Sequence, residues 1–120
     1  MTPAQLHQIG LLTADANRAS DEGRFEDARD LWLVVADAEE EGGHLTSAWL
    51  HRITATGYHV LIWARAQLDP RITFSDIRPR RAARARIIDQ FKSGRRVDTF
   101  EIAGHGYVHV DRRGRVRRVP

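Results

Sequence analysis

The sequence predicts an α+β protein: three antiparallel N-terminal helices, a fourth basic helix, and a three-stranded antiparallel β-meander at the C-terminal end. Two apolar patterns and one charge pattern lead there. Through the first seventy residues, apolar side chains recur every three or four positions, the repeat of a helix buried along one stripe. After residue 97 they alternate with polar ones and are punctuated by glycines, the repeat of strands with one face in a core. The sign of the charge changes between these regions. Residues 1–70 hold five arginines against eleven carboxylates, a balance of −6, and residues 71–120 hold fourteen basic residues against five, a balance of +9.

Helix one is expected from about Pro3 to Ser20. Thr2 can accept from the amide three residues on, Gln5 can reach back, and Pro3 occupies a first-turn position where no N–H is needed. Leu6, Ile9, Leu12, Thr13 and Ala16 then follow at helical spacing, and Gly23 lies near the end. Helix two begins near Arg24 or Phe25. Its stripe is Phe25, Ala28, Leu31, Trp32, Val35 and Ala38, with Glu26, Asp27, Arg29, Asp30 and Asp37 opposite, and Gly42-Gly43 ends it. Helix three covers Leu45 to Leu68. Trp49, Ile53, Thr56, Val60, Trp63 and Ala64 line one face, and Leu50, Leu61 and Ile62 widen it. Tyr58 to Ala64 is apolar nearly all round, which predicts a central helix, and Asp69-Pro70 stops it.

The pattern Gly23-x-Phe25-x-x-Ala28-x-x-x-Trp32-x-x-Val35 resembles the second half of a tetratricopeptide repeat. Leu12, Ala16 and Ala19 fall where its first helix would place packing residues. The resemblance covers residues 12–35, with no second copy at the repeat period. It implies a protein- or peptide-binding surface and assigns no functional residue. Any antiparallel helix pair with small residues at its crossing shows the same spacing.

The back half opens with Ile72-Thr73-Phe74, read as a short extended segment. Ser75 or Asp76 caps the fourth helix, with Pro79 in its first turn and Ser93-Gly94 closing it. Val97 to Ala103, Tyr107 to Asp111 and Arg115 to Val119 are the three strands, joined by Gly104-His105-Gly106 and by Arg112-Arg113-Gly114. Phe100, Ile102, Val108, Val110 and Val116 are expected to face the core. The organisation is an acidic helical unit, 1–70, and a basic unit, 71–120. No low-complexity linker separates them, so they are expected to pack as one domain. The order of helix three, short segment, helix four and hairpin resembles a winged helix-turn-helix domain. That resemblance implies helix four as the recognition helix and Arg112 to Arg118 as the wing.

Composition narrows the function classes. A chain of 120 residues, 42% hydrophobic and 29% charged, is ordinary for a globular protein. It has no cysteine, which excludes disulfides, thiol catalysis and cysteine-based zinc sites. The opening Met-Thr-Pro-Ala-Gln lacks the pattern of a signal peptide. The most apolar run, Tyr58 to Ala66, contains His59 and Arg65 and falls short of the roughly 20 apolar residues of a membrane span. A cytoplasmic protein without a membrane partner or cofactor is the expectation.

Charge carries the leading functional reading. Arg78, Arg80, Arg81, Arg84 and Arg86 crowd the start of the fourth helix, Arg95-Arg96 follow it, and the hairpin adds Arg112, Arg113, Arg115, Arg117 and Arg118. Arg80, Arg81 and Arg84 would share one helical face. Such a surface suits phosphates, whose neutralisation releases counterions. The expected function is therefore a non-enzymatic, nucleic-acid-associated or regulatory protein, with Arg80, Arg81, Arg84, Arg112, Arg113 and Arg115 on the backbone. The alternative is a protein-interaction module, as in a small phage or plasmid accessory or inhibitor protein. In that reading the acidic helical half or the basic half docks onto a partner protein, an acidic one for the basic half; more simply, the arginines pair with Asp37, Glu39, Glu40 and Glu41 or with another subunit of a homo-oligomer.

A third reading rests on His105-x-Tyr107-x-His109-x-Asp111. Strand geometry places Tyr107, His109 and Asp111 on one face, with Glu101 across the turn. Two imidazoles, a phenol and carboxylates are the components of general acid–base cleavage of RNA, or of a divalent metal site. An exposed polar sheet face accounts for them more simply, so neither catalysis nor a metal is expected. His7, His44 and His51 read as helix-surface or cap residues, and His59 as a hydrogen-bonded core residue. Trp32, Trp49 and Trp63 read as core. Gly104-x-Gly106 lacks the third glycine and the following helix of a nucleotide-binding fingerprint.

Overall fold

A computed structural model describes residues 1–80, 99–111 and 113–120. The chain divides into two compact units, Met1–Tyr58 and His59–Pro120, and the division falls inside a helix.

The first unit is built from α1 (Pro3–Asp21), α2 (Phe25–Glu41) and the leading part of α3 (Leu45–Gln67). The start of α1 is set by its own sequence. Gln5 donates its backbone N–H to the Thr2 hydroxyl at 3.1 Å, and the Gln5 side-chain oxygen accepts from the Thr2 N–H at 2.8 Å. Ala16 and Ala19 on α1 and Ala28 on α2 are fully buried, small residues that let two helix backbones approach closely. Trp32 is buried beside them, and its indole N–H donates to the Ser20 hydroxyl at 3.2 Å.

Helix α3 runs antiparallel to α2. Phe25, at the start of α2, stacks on Tyr58 with ring centroids 6.1 Å apart, whereas Glu39, near its end, meets His51. On the outside of that contact Arg52 donates to Asp37 at 2.8 Å and to Glu40 at 2.5 Å.

The second unit contains the rest of α3, a 3-10 turn at Phe74–Asp76, and four strands: β1 (Ile77–Pro79), β2 (Thr99–Ile102), β3 (Gly106–Val110) and β4 (Val116–Arg118). They form one antiparallel sheet in sequence order, β1-β2-β3-β4. Val60, Leu61 and Ala64 are fully buried on α3, and Ile77, Phe100, Ile102, Val108 and Val110 are buried on the sheet. His59 closes against the β3–β4 turn. A carbonyl can only accept, so its Nε2 carries the proton donated to the Gly114 oxygen at 2.5 Å.

The α+β class and the three helices agree with the sequence reading, and the meander gains a strand. Where the fourth helix was expected to begin, Phe74–Asp76 makes a 3-10 turn and Ile77–Pro79 makes β1. Two local causes oppose a helix there. A residue preceding proline is pushed out of the α region, which acts on Arg78. Ile77 is also buried opposite Ile102, and proline is tolerated on an edge strand such as β1. The rest of the expected fourth helix, with Arg81, Arg84, Arg86, Lys92, Arg95 and Arg96, lies outside the described residues, as does Arg112. Among the described residues no helix is long and apolar enough to cross a membrane.

Candidate nucleic-acid interface

Register decides which side chains share a face of the sheet, because directly opposed residues point the same way and neighbours along a strand alternate. The inner face carries Ile77 opposite Ile102, Pro79 opposite Phe100, Phe100 opposite Val108, and Val110 opposite Val116. The outer face is what remains. Arg78 lies opposite Glu101, which lies opposite Tyr107. In the next row Thr99 lies opposite His109 and His109 opposite Arg117. Arg80 extends that second row, because its N–H donates to the Thr99 carbonyl at 3.2 Å.

One side-chain contact confirms this arrangement. The Arg80 guanidinium carbon lies 5.1 Å from the centroid of the Tyr107 ring, a diagonal cation–π contact that requires both on the same side. Arg78, Arg80, Glu101 and Arg117 are exposed, His109 is half-buried, and Tyr107 is 40% exposed. Among the described residues the outer face therefore sets Arg78, Arg80, Arg117 and two aromatic rings beside Glu101, and its next row pairs Asp111 with Arg115.

The turn after β3 is organised by Asp111. Its carboxylate accepts from the N–H groups of Arg113 and Arg115 at 2.8 and 3.0 Å, and from Nε of Arg115 at 2.8 Å. Its pKa is lowered from the ordinary 3.8 to about 2. The Arg115 N–H contributes most, partial burial opposes it, and the Arg115 side chain and Arg113 N–H add to the lowering. Gly114, at φ +79°, supplies the left-handed residue that the turn needs. Beside β4 lies an open groove of about 600 Å³, lined by Ile62, Trp63 and Val116 together with Arg115 and Arg117.

The chain matches no known family model, curated protein or solved structure.

Of the six arginines expected on phosphate, Arg80, Arg113 and Arg115 are described. Arg80 lies on the outer face, Arg113 is exposed in the turn, and Arg115 is exposed but held by Asp111. Arg81, Arg84 and Arg112 fall outside the described residues. Arg78 and Arg117 join Arg80 through register, a relation that counting arginines along the chain does not reveal. Of the carboxylates expected as alternative partners for the basic half, Asp37 and Glu40 hold Arg52 and Glu39 holds His51.

Tyr107 and His109 share the outer face with Glu101 opposite Tyr107, Asp111 continues the same alternation opposite Arg115 and organises the turn after β3, and His105 sits in the turn before it. Among the described residues no group of three or more His, Asp or Glu side chains could hold a metal ion. His59 is hydrogen-bonded, as read. His51, read as a surface residue, is half-buried, because antiparallel packing brings Glu39 against it and lays its ring on Trp32.

Proposed function

We propose that this protein binds nucleic acid without transforming it, holding the phosphate backbone through arginines of its basic half. The observation that carries the reading is the open sheet face on which Arg78, Arg80 and Arg117 stand beside Tyr107 and His109. Guanidinium groups match phosphate oxygens in a bidentate fork, and aromatic rings beside them accept sugars and bases. The net balance of +9 over residues 71–120 adds long-range attraction for a polyanion.

Fluorescence anisotropy with mixed-sequence DNA and RNA across a salt series tests the reading. Each neutralised phosphate contributes about −0.9 to the slope of log K against log salt on duplex DNA. Three face arginines predict a slope of about −3 or steeper. Absence of binding to either polymer at low salt removes the proposal.

A second reading, a protein-interaction module, draws on the helical unit. Leu6, Leu11, Leu33, Val34, Leu45 and Leu50 are exposed on α1, α2 and α3. Light scattering of the full chain across concentration tests whether these side chains bring copies together.

A further inference from the structure

Resting on the reading above, we propose that the outer face of the sheet selects single-stranded over duplex nucleic acid by stacking an unpaired base on Tyr107. Duplex bases already cover one another's faces, so a protein ring can stack only on a base that has left the helix. The Tyr107 ring is 40% exposed and lies on the face that carries the arginines, so a base reaching it brings its own phosphates to Arg78, Arg80 and Arg117. The neighbouring ring on the same strand and face, His109, is two residues away. At the rise of an antiparallel strand that is about 6.8 Å, twice the spacing of stacked bases, so the platform suits bases spread along a backbone.

The Arg80 guanidinium occupies the position over Tyr107 that a base would take. Relative strengths decide between them. An exposed cation–π contact is worth about two- to fivefold in an equilibrium, whereas a base stacked on an aromatic ring is worth about five- to 150-fold. The base therefore displaces the guanidinium. Arg80, exposed and on a flexible stem, swings to a phosphate, where its charge gains a full negative partner. In the free protein Arg80 covers the ring; in the complex it clamps the strand that has taken its place.

The test compares dT12 and U12 single strands with a mixed-sequence duplex, at one low salt concentration, on the full chain. The expected result is tighter binding of both single strands than of the duplex. Tyr107→Ala is expected to weaken single-strand binding by about five- to 150-fold, with a much smaller change on the duplex, and Tyr107→Phe is expected to retain the preference. Should the alanine variant fold poorly, Tyr107→Leu removes the π-face while keeping a side chain suited to a strand. Equal affinity for single and double strands, or an unchanged single-strand affinity in a folded Tyr107→Ala or Tyr107→Leu protein, overturns the inference and leaves the phosphate reading standing. Failure of all three nucleic acids to bind overturns the phosphate reading itself.

Discussion

The carboxylate of Glu39, 6% exposed, meets Nδ1 of His51 where α2 and α3 pack antiparallel, and the same imidazole stacks on Trp32 with centroids 4.8 Å apart. A buried carboxylate needs a partner, because its desolvation is otherwise uncompensated. Removing His51 takes away both the partner and the ring on Trp32. His51→Ala should therefore lower unfolding stability by about 2–3 kcal/mol, less than a fully buried pair because the imidazole is half-exposed. The double replacement Glu39→Leu/His51→Leu should recover much of that loss, since an apolar pair leaves no buried charge behind. Urea unfolding of the two variants decides, and a double variant weaker than His51→Ala would contradict the account.

Trp32 and Trp49 differ in one atom's surroundings. Trp32 Nε1 donates to Ser20, whereas Trp49 Nε1 is buried with no hydrogen-bond partner among the described residues. Replacing either by phenylalanine removes similar volume, so the hydrogen bond separates them. Trp32→Phe should cost about 1 kcal/mol more than Trp49→Phe, because deleting an already unpaired donor relieves a penalty instead of creating one. Equal thermal shifts for the two variants would count against this.

Signals contained within a few residues were legible, and signals carried by pairing were not. Thr2, Pro3 and Gln5 announce the start of α1, and Gly104 and Gly114 mark the turns of the meander, because cap and turn chemistry is local. Strand β1 spans only Ile77–Pro79, too short to show a period, and its partner Ile102 lies far along the chain. Only the restriction that Pro79 places on Arg78 hinted at extended backbone. The same holds for the outer face. Alternation gives the parity of Tyr107 and His109, and of Arg115 and Arg117. Glu101 was legible across the turn from Tyr107 and His109, whereas that Arg78 stands in the same row follows only from the register of β1 on β2.

The β3–β4 turn should loosen in acid. Asp111 has a folded pKa of about 2 against an ordinary 3.8, so protonation favours the unfolded turn. Its contribution is complete above about pH 4 and is lost as pH falls towards 2. Amide exchange at Arg113, Gly114 and Arg115, followed across that window, should accelerate beyond the intrinsic pH trend of exchange. Asp111→Asn, which removes the charge, should flatten the dependence. Asp69, also lowered to about 2, chiefly by the Arg71 side chain, predicts the same trend after α3. Protection that holds constant to pH 2 would mean that the Asp111 carboxylate does not organise the turn.

Arg115 and Arg117 both project from the C-terminal ribbon, but their guanidinium groups stand in different company. Arg115 Nε is held by Asp111 at 2.8 Å, so part of its charge is already answered, whereas Arg117 lies opposite His109 on the face with Arg78 and Arg80. A phosphate approaching Arg115 must compete with a carboxylate at contact distance, whereas Arg117 lies opposite His109 and not opposite a carboxylate. Arg117→Ala should therefore weaken binding evenly across sequences and reduce the salt slope by about one. Arg115→Ala should change the slope less, while destabilising the turn that Asp111 organises. Arg18, exposed on α1 beside Asp15, provides the comparison, because Arg18→Ala removes the same charge from the acidic region and should leave the slope unchanged. Equal slope changes at all three positions would mean that net charge, and not the sheet face, attracts the polyanion.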